Sequence, residues 1–149
     1  MIAVFGVAYG NIGEAICKEI PGANSINCML PDVSDEVIEG HRDFIFCNGI
    51  NQMAWIGKQN DADIDQHMFD NLTSIMKTIN RIAQRKPRSE PTRIVIICSL
   101  AAKRVMNASS AYCSSKAALE MYIKCAAFEL APEASYFLLM LDQLNIHNF

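Results

Sequence analysis

The chain has 149 residues, the length of one domain that can bury a real core, and a single domain spanning residues 1–149 is expected. Hydrophobic residues make up 51% and charged residues 19%, the net charge is −3, and there is no basic block, which argues against a nucleic-acid or anionic-membrane surface. Six cysteines (17, 28, 47, 98, 113, 125) without a C-x-x-C pair, no run of membrane-spanning length and a start directly in a strand predict a cytoplasmic protein with reduced thiols and no signal peptide or anchor.

In chain order, Met1 to Phe5 reads as an apolar strand, followed by the turn G-V-A-Y-G-N-I-G (6–13) and a helix over 11–20. Gly6, Gly10 and Gly13 would let the backbone approach a pyrophosphate at the helix amino end, although a plain structural turn uses glycine in the same way. A strand is expected over 25–30, then L-P-D-V-S-D (30–35), a short helix over 34–41 and a strand over 43–47. Asp32 has two readings: it accepts a ribose hydroxyl, or it simply helps to cap the short helix. A helix over 62–85 carries Ile64, Met68, Leu72, Ile75, Ile79 and Ile82 at three- and four-residue steps, a stripe that faces a core. The polar segment 87–91 ends it. A strand over 93–98, a helix over 110–131 and a strand over 135–141 follow. This alternation predicts an α/β fold with a parallel sheet covered on both faces, a doubly wound three-layer arrangement.

Tyr112 and Lys116 lie four apart on the predicted helix 110–131, so their side chains share one face. A unit charge about 5 Å from the phenol at an effective dielectric of about 20 is worth roughly 3 kcal/mol, or about two pKa units, which would bring the phenol toward acid/base work near neutral pH. Ser99 closes the apolar strand R-I-V-I-I-C-S thirteen residues before Tyr112, at the carboxyl edge where open α/β sheets bind ligands. A tyrosine and a lysine at this spacing also occur as an ordinary surface pair. His41, His67 and His147 have no ligand-like spacing with one another or with the cysteines, and no metal site is expected. Trp55 reads as a loop anchor.

The segments I-V-I-I-C-S-L-A-A (94–102), S-S-A-Y-C-S-S-K-A-A-L-E (109–120) and A-A-F-E-L-A-P (126–132) closely resemble the catalytic half of the short-chain dehydrogenase/reductase family. F-D-N-L-T-S (69–74) is similar to the setting of that family's asparagine, at Asn71, and C-N-G-I (47–50) looks like a shortened N-N-A-G element. The resemblance is specific in the second half and weaker in the first, where Asn11 stands at the place of the middle glycine. It implies a Rossmann-like sheet and a catalytic set of Asn71, Ser99, Tyr112 and Lys116. It also implies a dinucleotide site of Gly6, Gly10, Asn11, Ile12, Gly13, Asp32, Val33, Asn48, Gly49, Tyr112 and Lys116, with D-V (32–33) similar to the element beside the adenine. NAD is the expected cofactor, with NADP possible, because no arginine or lysine lies within 6–13 or just after Asp32.

Roughly one strand-helix unit of the family is missing between Gly13 and Asn48, so a sheet reduced in strand number is expected. After S-Y-F-L-L-M-L the sequence D-Q-L-N-I-H-N-F supplies no P-G turn and no substrate-covering segment. Two functions follow: an oxidoreductase acting on a small alcohol or carbonyl, or a non-catalytic derivative used for nucleotide binding or assembly. The resemblance implies a homodimer or homotetramer through helices 62–85 and 110–131, with Met76, Ile79, Met121 and Phe128 as candidates for the contact face.

Overall fold

The computed structural model describes residues 1–7, 10–86 and 91–130, together with the backbone of 134–141. Ala8 and Tyr9 of the glycine turn, most of the polar segment after the long helix, and His147 lie outside these residues. Five strands form one parallel sheet: β1 (Ile2–Phe5), β2 (Ala23–Ser25), β3 (Asp43–Phe46), β4 (Thr92–Ser99) and β5 (Ala134–Leu141), in the order β2-β1-β3-β4-β5. Helices α1 (Asn11–Glu19), α2 (Asp35–Gly40), α3 (Asp61–Met68), α4 (Ser74–Arg85) and α5 (Ser110–Glu129) connect them. The strand order runs outward in both directions from β1 and β3. The sheet is therefore doubly wound, with its switch point between those two strands.

Alternation along the strands decides the two faces. Ala3, Phe5, Phe44, Phe46, Ile94 and Ile96 point to one side and form a core with Ile38 of α2, Ile75, Ile79 and Ile82 of α4, and Leu119 and Ile123 of α5. The right-handed crossover rule puts α1, whose connection runs the opposite way across the sheet, on the other side, where Val4 and Ile45 are buried. Phe5 stacks on Phe44 and Phe46 with ring centroids 6.4 and 5.0 Å apart. Register between β3 and β4 is fixed by a two-pronged ion pair, Arg93 Nε to Asp43 Oδ1 at 2.6 Å and Arg93 Nη2 to Asp43 Oδ2 at 2.7 Å, between residues directly opposite in the ladder. These hydrogen bonds hold the Asp43 carboxyl below the usual carboxylate range.

Three expectations need correction. The strand expected over 25–30 is paired only over Ala23–Ser25, because β1 ends at Phe5 and leaves no partner ladder beyond the Ile26 N–H to Val4 carbonyl bond of 2.9 Å. Ile26, Cys28, Leu30 and Val33 still pack inward, and that alternation imitates a longer strand. The helix expected over 62–85 is broken by a π turn, Phe69–Thr73, between α3 and α4. The extra residue shifts α3 out of phase with α4, so Ile64 is exposed and His67 is buried instead. Finally, Ile79 is only 1% exposed and sits in the core, so it belongs to no free contact face, while Met76 is partly buried against that core.

Truncation tests that placement. Ile79→Ala should cost about 2 to 5 kcal/mol in chemical denaturation, as cavity-forming core changes do. A loss near zero would put Ile79 back at the surface.

Candidate active site

The chain leaves β1 at Gly6, whose φ of +78° suits glycine alone, and a Cβ there would stand 2.6 Å from the Asn48 backbone nitrogen and 2.8 Å from the Cys47 carbonyl carbon. Bare backbone is what lets the β1–α1 turn lie against the end of β3. Gly13 performs the same task inside the turn, since a Cβ would lie 2.8 Å from Val7 Cα. Gly10 precedes α1 in open space, no side chain caps the helix start, and Asn11 and Ile12 are exposed beside it. A cavity of about 360 Å³ opens next to this turn, lined by Gly6, Val7 and residues 25–29.

Asp32 and Val33 do not line that cavity. Val33 is buried in the core, and Asp32 is exposed with its N–H donating to the Met29 carbonyl at 2.8 Å. Arg81 of α4 holds this segment, donating to the Pro31 carbonyl at 3.1 Å and to Asp35 at 2.8 Å, while Arg85 reaches Asp35 at 2.7 Å. The cap of α2 is Ser34, whose Oγ accepts from the Val37 N–H at 3.4 Å. The polar side chains at the cavity's β2 edge are therefore Ser25 and Asn27, which the sequence reading missed because it extended β2 too far.

The four expected catalytic side chains converge at the carboxyl ends of β3 and β4. Ser99 is buried at the end of β4, where its Oγ accepts the Ala101 N–H at 3.1 Å and the hydroxyl acts on the Tyr112 phenol. Asn71 sits in the π turn, fully buried. Its Oδ1 accepts the Ile50 N–H at 2.7 Å, and its Nδ2 donates to the Ile50 carbonyl and to Ser115 Oγ, both at 3.0 Å. Ser115 in turn donates to the Tyr112 carbonyl at 2.8 Å. Lys116 is 3% exposed; its Nζ donates to the Asn48 carbonyl at 3.2 Å and lies 5.9 Å from the centre of the Tyr112 ring. A Cβ on Gly49 would come within 3.0 Å of that Nζ and 3.3 Å of Asn71 Oδ1, so glycine leaves the room the ammonium occupies.

Electrostatics here run against the simple expectation. Burial raises the Tyr112 phenol above its usual value; the Ser99 hydroxyl opposes this, and Cys98 and Cys113 add to it. Lys116 is not among the groups that set this shift, and desolvation outweighs the lowering by Ser99. Burial likewise pulls the Lys116 ammonium below its usual value, opposed by the nearby Cys98 and Cys47 thiols. Cys47 itself is pushed up to about 11, chiefly by burial, which makes it an inert thiol. Asn48 Oδ1 and Asn51 Oδ1 are buried and have no hydrogen-bond partner among the described residues. Unpartnered buried oxygens, a buried ammonium and a glycine cradle make a donor and acceptor set that fits a dinucleotide.

A larger cavity of about 530 Å³ adjoins this centre on the neighbouring face of α5, between the loop after Ser99 and Trp55. Neither Asn71, Ser99, Tyr112 nor Lys116 lines it. No group of three or more potential metal ligands occurs among the described residues.

The short chain dehydrogenase family model matches residues 40–134. The chain belongs to the short-chain dehydrogenase family. Comparison with curated proteins gives no match. Solved structures share the fold at low identity. Aldohexose dehydrogenase of Thermoplasma acidophilum in ligand-free form superposes with a TM-score of 0.80 at 20% identity, over 95% of this chain and 66% of that one. Gluconate 5-dehydrogenase from Burkholderia cenocepacia, in complex with NADP and tartrate, gives 0.80 at 13% identity over 95% and 70%. A 4-hydroxyisoleucine dehydrogenase complexed with NADH and succinate gives 0.74 at 20% identity over 89% and 74%. This chain thus spans about two thirds of the aldohexose dehydrogenase, and family membership supports an oxidoreductase.

Lys116 offers a stability test. Its pKa in the fold is depressed, so the fold favours the neutral amine: the fold is unburdened above the ordinary lysine range, and stability falls as pH drops through the folded value and the buried group takes up charge. Lys116→Met should therefore raise the unfolding free energy at pH 7 by on the order of 1 kcal/mol, read as a higher Tm, with the gain fading at pH above the usual lysine value. A lower Tm for the variant at pH 7 would show the ammonium to be net stabilising.

Proposed function

We propose that the chain is a nicotinamide-dependent oxidoreductase of a small alcohol or carbonyl, and the observation that carries this reading is the convergence of buried Ser99 with Tyr112 and Lys116, which stand one turn apart on α5 with the Lys116 Nζ 5.9 Å from the Tyr112 ring centre. The dinucleotide would supply or accept a hydride at the substrate carbon. Tyr112 exchanges a proton with the substrate oxygen and Ser99 hydrogen-bonds that oxygen. Lys116 holds the ribose hydroxyls and, when the nucleotide draws its Nζ from the Asn48 carbonyl, favours the phenolate. Asn71 orders a water that relays the proton. Gly6, Gly10, Asn11, Ile12 and Gly13 take the pyrophosphate, with Ser25 and Asn27 at the adenosine ribose. Neighbours solved with NADH and with NADP support a dinucleotide of this kind.

No cationic side chain occurs in 25–29, so a 2′-phosphate gains no counter-charge at that edge. Calorimetric titration should accordingly give tighter binding of NADH than of NADPH. Equal or reversed affinity would sink the preference, and no binding of either would favour the non-catalytic derivative. Once a substrate is identified, Tyr112→Phe should lower turnover by roughly 10² or more while leaving NADH affinity intact, because only the transferable proton is removed. Near-normal turnover would remove Tyr112 from the acid/base role.

Assembly belongs to the same reading. Phe128 is 86% and Met121 59% exposed on α5, an apolar face that a second copy would cover by a two-fold contact. Sedimentation at micromolar concentration should show a dimer or larger, dissociated by Phe128→Asp without loss of helical circular dichroism. A folded monomer in the unaltered protein would refute it.

A further inference from the structure

His67 is 2% exposed and uses both ring nitrogens on backbone. Nδ1 lies 2.7 Å from the Asp63 carbonyl and Nε2 lies 3.0 Å from the Gln52 nitrogen. A carbonyl only accepts and a backbone N–H only donates, so the ring has one possible state: neutral, with its proton on Nδ1. Four residues on, Asn71 grips both the N–H and the carbonyl of Ile50. His67 and Asn71 are therefore two clamps from one helix on consecutive stretches of the loop that follows Asn48 and Gly49. The far side of the loop is tied to the start of α5: the Ala54 N–H donates to the Ala108 carbonyl at 2.8 Å, and Gln59 Nε2 donates to Ser110 Oγ at 3.0 Å. Asn51, with its buried unpartnered Oδ1, sits between the two clamped residues.

From this geometry we infer that His67 is a positioning residue of the site: as a neutral Nδ1–H imidazole it fixes Gln52, and through residues 48–51 it fixes the carbonyl and the open space in which the Lys116 ammonium stands. The mechanical link is short. Lys116 Nζ bonds the Asn48 carbonyl and fits only because position 49 has no Cβ, so a shift of a few tenths of an ångström in 49–52 is felt at the ammonium. The inference rests on the proposed function in one respect, that Lys116 contacts a nucleotide.

Three substitutions separate a loop clamp from a merely helical role. The carboxamide of His67→Gln reaches the position of Nε2 and accepts from Gln52, whereas that of His67→Asn reaches only the position of Nδ1 and serves the Asp63 carbonyl. His67→Gln should keep NADH affinity close to that of the unaltered protein, and His67→Asn and His67→Leu should weaken it about tenfold, the scale of one net hydrogen bond. Hydrogen exchange of the Gln52 amide, read without nucleotide, should stay slow in His67→Gln and become fast in the other two. Nitrogen-15 spectra of the unaltered protein should show a His67 ring protonated at Nδ1 and bare at Nε2. The inference is overturned if His67→Asn binds NADH normally while His67→Gln does not, if all three variants bind like the parent, or if Nε2 carries the proton. Should the unaltered protein bind no NADH, the nicotinamide reading falls; the clamp then stands or falls on Gln52 exchange.

Discussion

The strand end Cys47–Asn48–Gly49 is held from two sides at the limit of contact, and the rest of the site is arranged around that compression. On one side Gly6 lies so close that a single added carbon would meet the Asn48 nitrogen at 2.6 Å; on the other, Lys116 and Asn71 fill the space a Gly49 side chain would need. The β1–α1 turn and the α5 amino half are thereby locked to one short piece of backbone. Because β1 and β3 are adjacent and the strand order reverses between them, that piece lies at the switch point, where the chain leaves an open crevice.

Such a site has a cost in stability. An ammonium that is 3% exposed and answered by a backbone carbonyl and neutral thiols is not there to strengthen the fold. The same holds for the Asn48 and Asn51 oxygens that are buried without partners. Their shared location around the end of β3 is the pattern expected when polar groups are kept for a ligand rather than for folding.

Legibility in the sequence divided along physical lines. The second half was plain because its signals are local: apolar runs give β4, a helical run gives α5, and the Ser99, Tyr112 and Lys116 spacing survives whatever surrounds it; the family match over 40–134 covers this same region. The first half was harder. Residues 26–30 alternate like a strand but lack a partner ladder, an outcome decided by where β1 stops, and Ser25 and Asn27 rather than Asp32 line the cavity beside the glycine turn. Sequence spacing also suggested that Lys116 lowers the Tyr112 pKa, whereas in the folded chain burial raises it and Lys116 is not among the groups acting on it.

His67 was missed for a reason that concerns helices generally. The stripe from Ile64 to Ile82 fits one uninterrupted helix, and on that helix position 67 lies about 60° to one side of Ile64 and Ile82, at the flank of the stripe. A π turn adds one residue to the helical path, so everything before it rotates by about 100° relative to everything after it. Here the inserted turn carries Asn71 itself, with Thr73 Oγ1 donating to the Met68 carbonyl at 3.3 Å and Ser74 Oγ to the Asp70 carbonyl at 3.4 Å along the widened stretch. The rotation exchanges an isoleucine on the inner face for a histidine, and it sets His67 and Asn71 on one side toward the loop after β3. An unbroken helix would keep the apolar stripe continuous and leave Gln52 without its side-chain acceptor. The break in the helix is thus coupled to the polar clamp, and a spacing of four between His67 and Asn71, which any regular helix shares, does not announce it in the sequence.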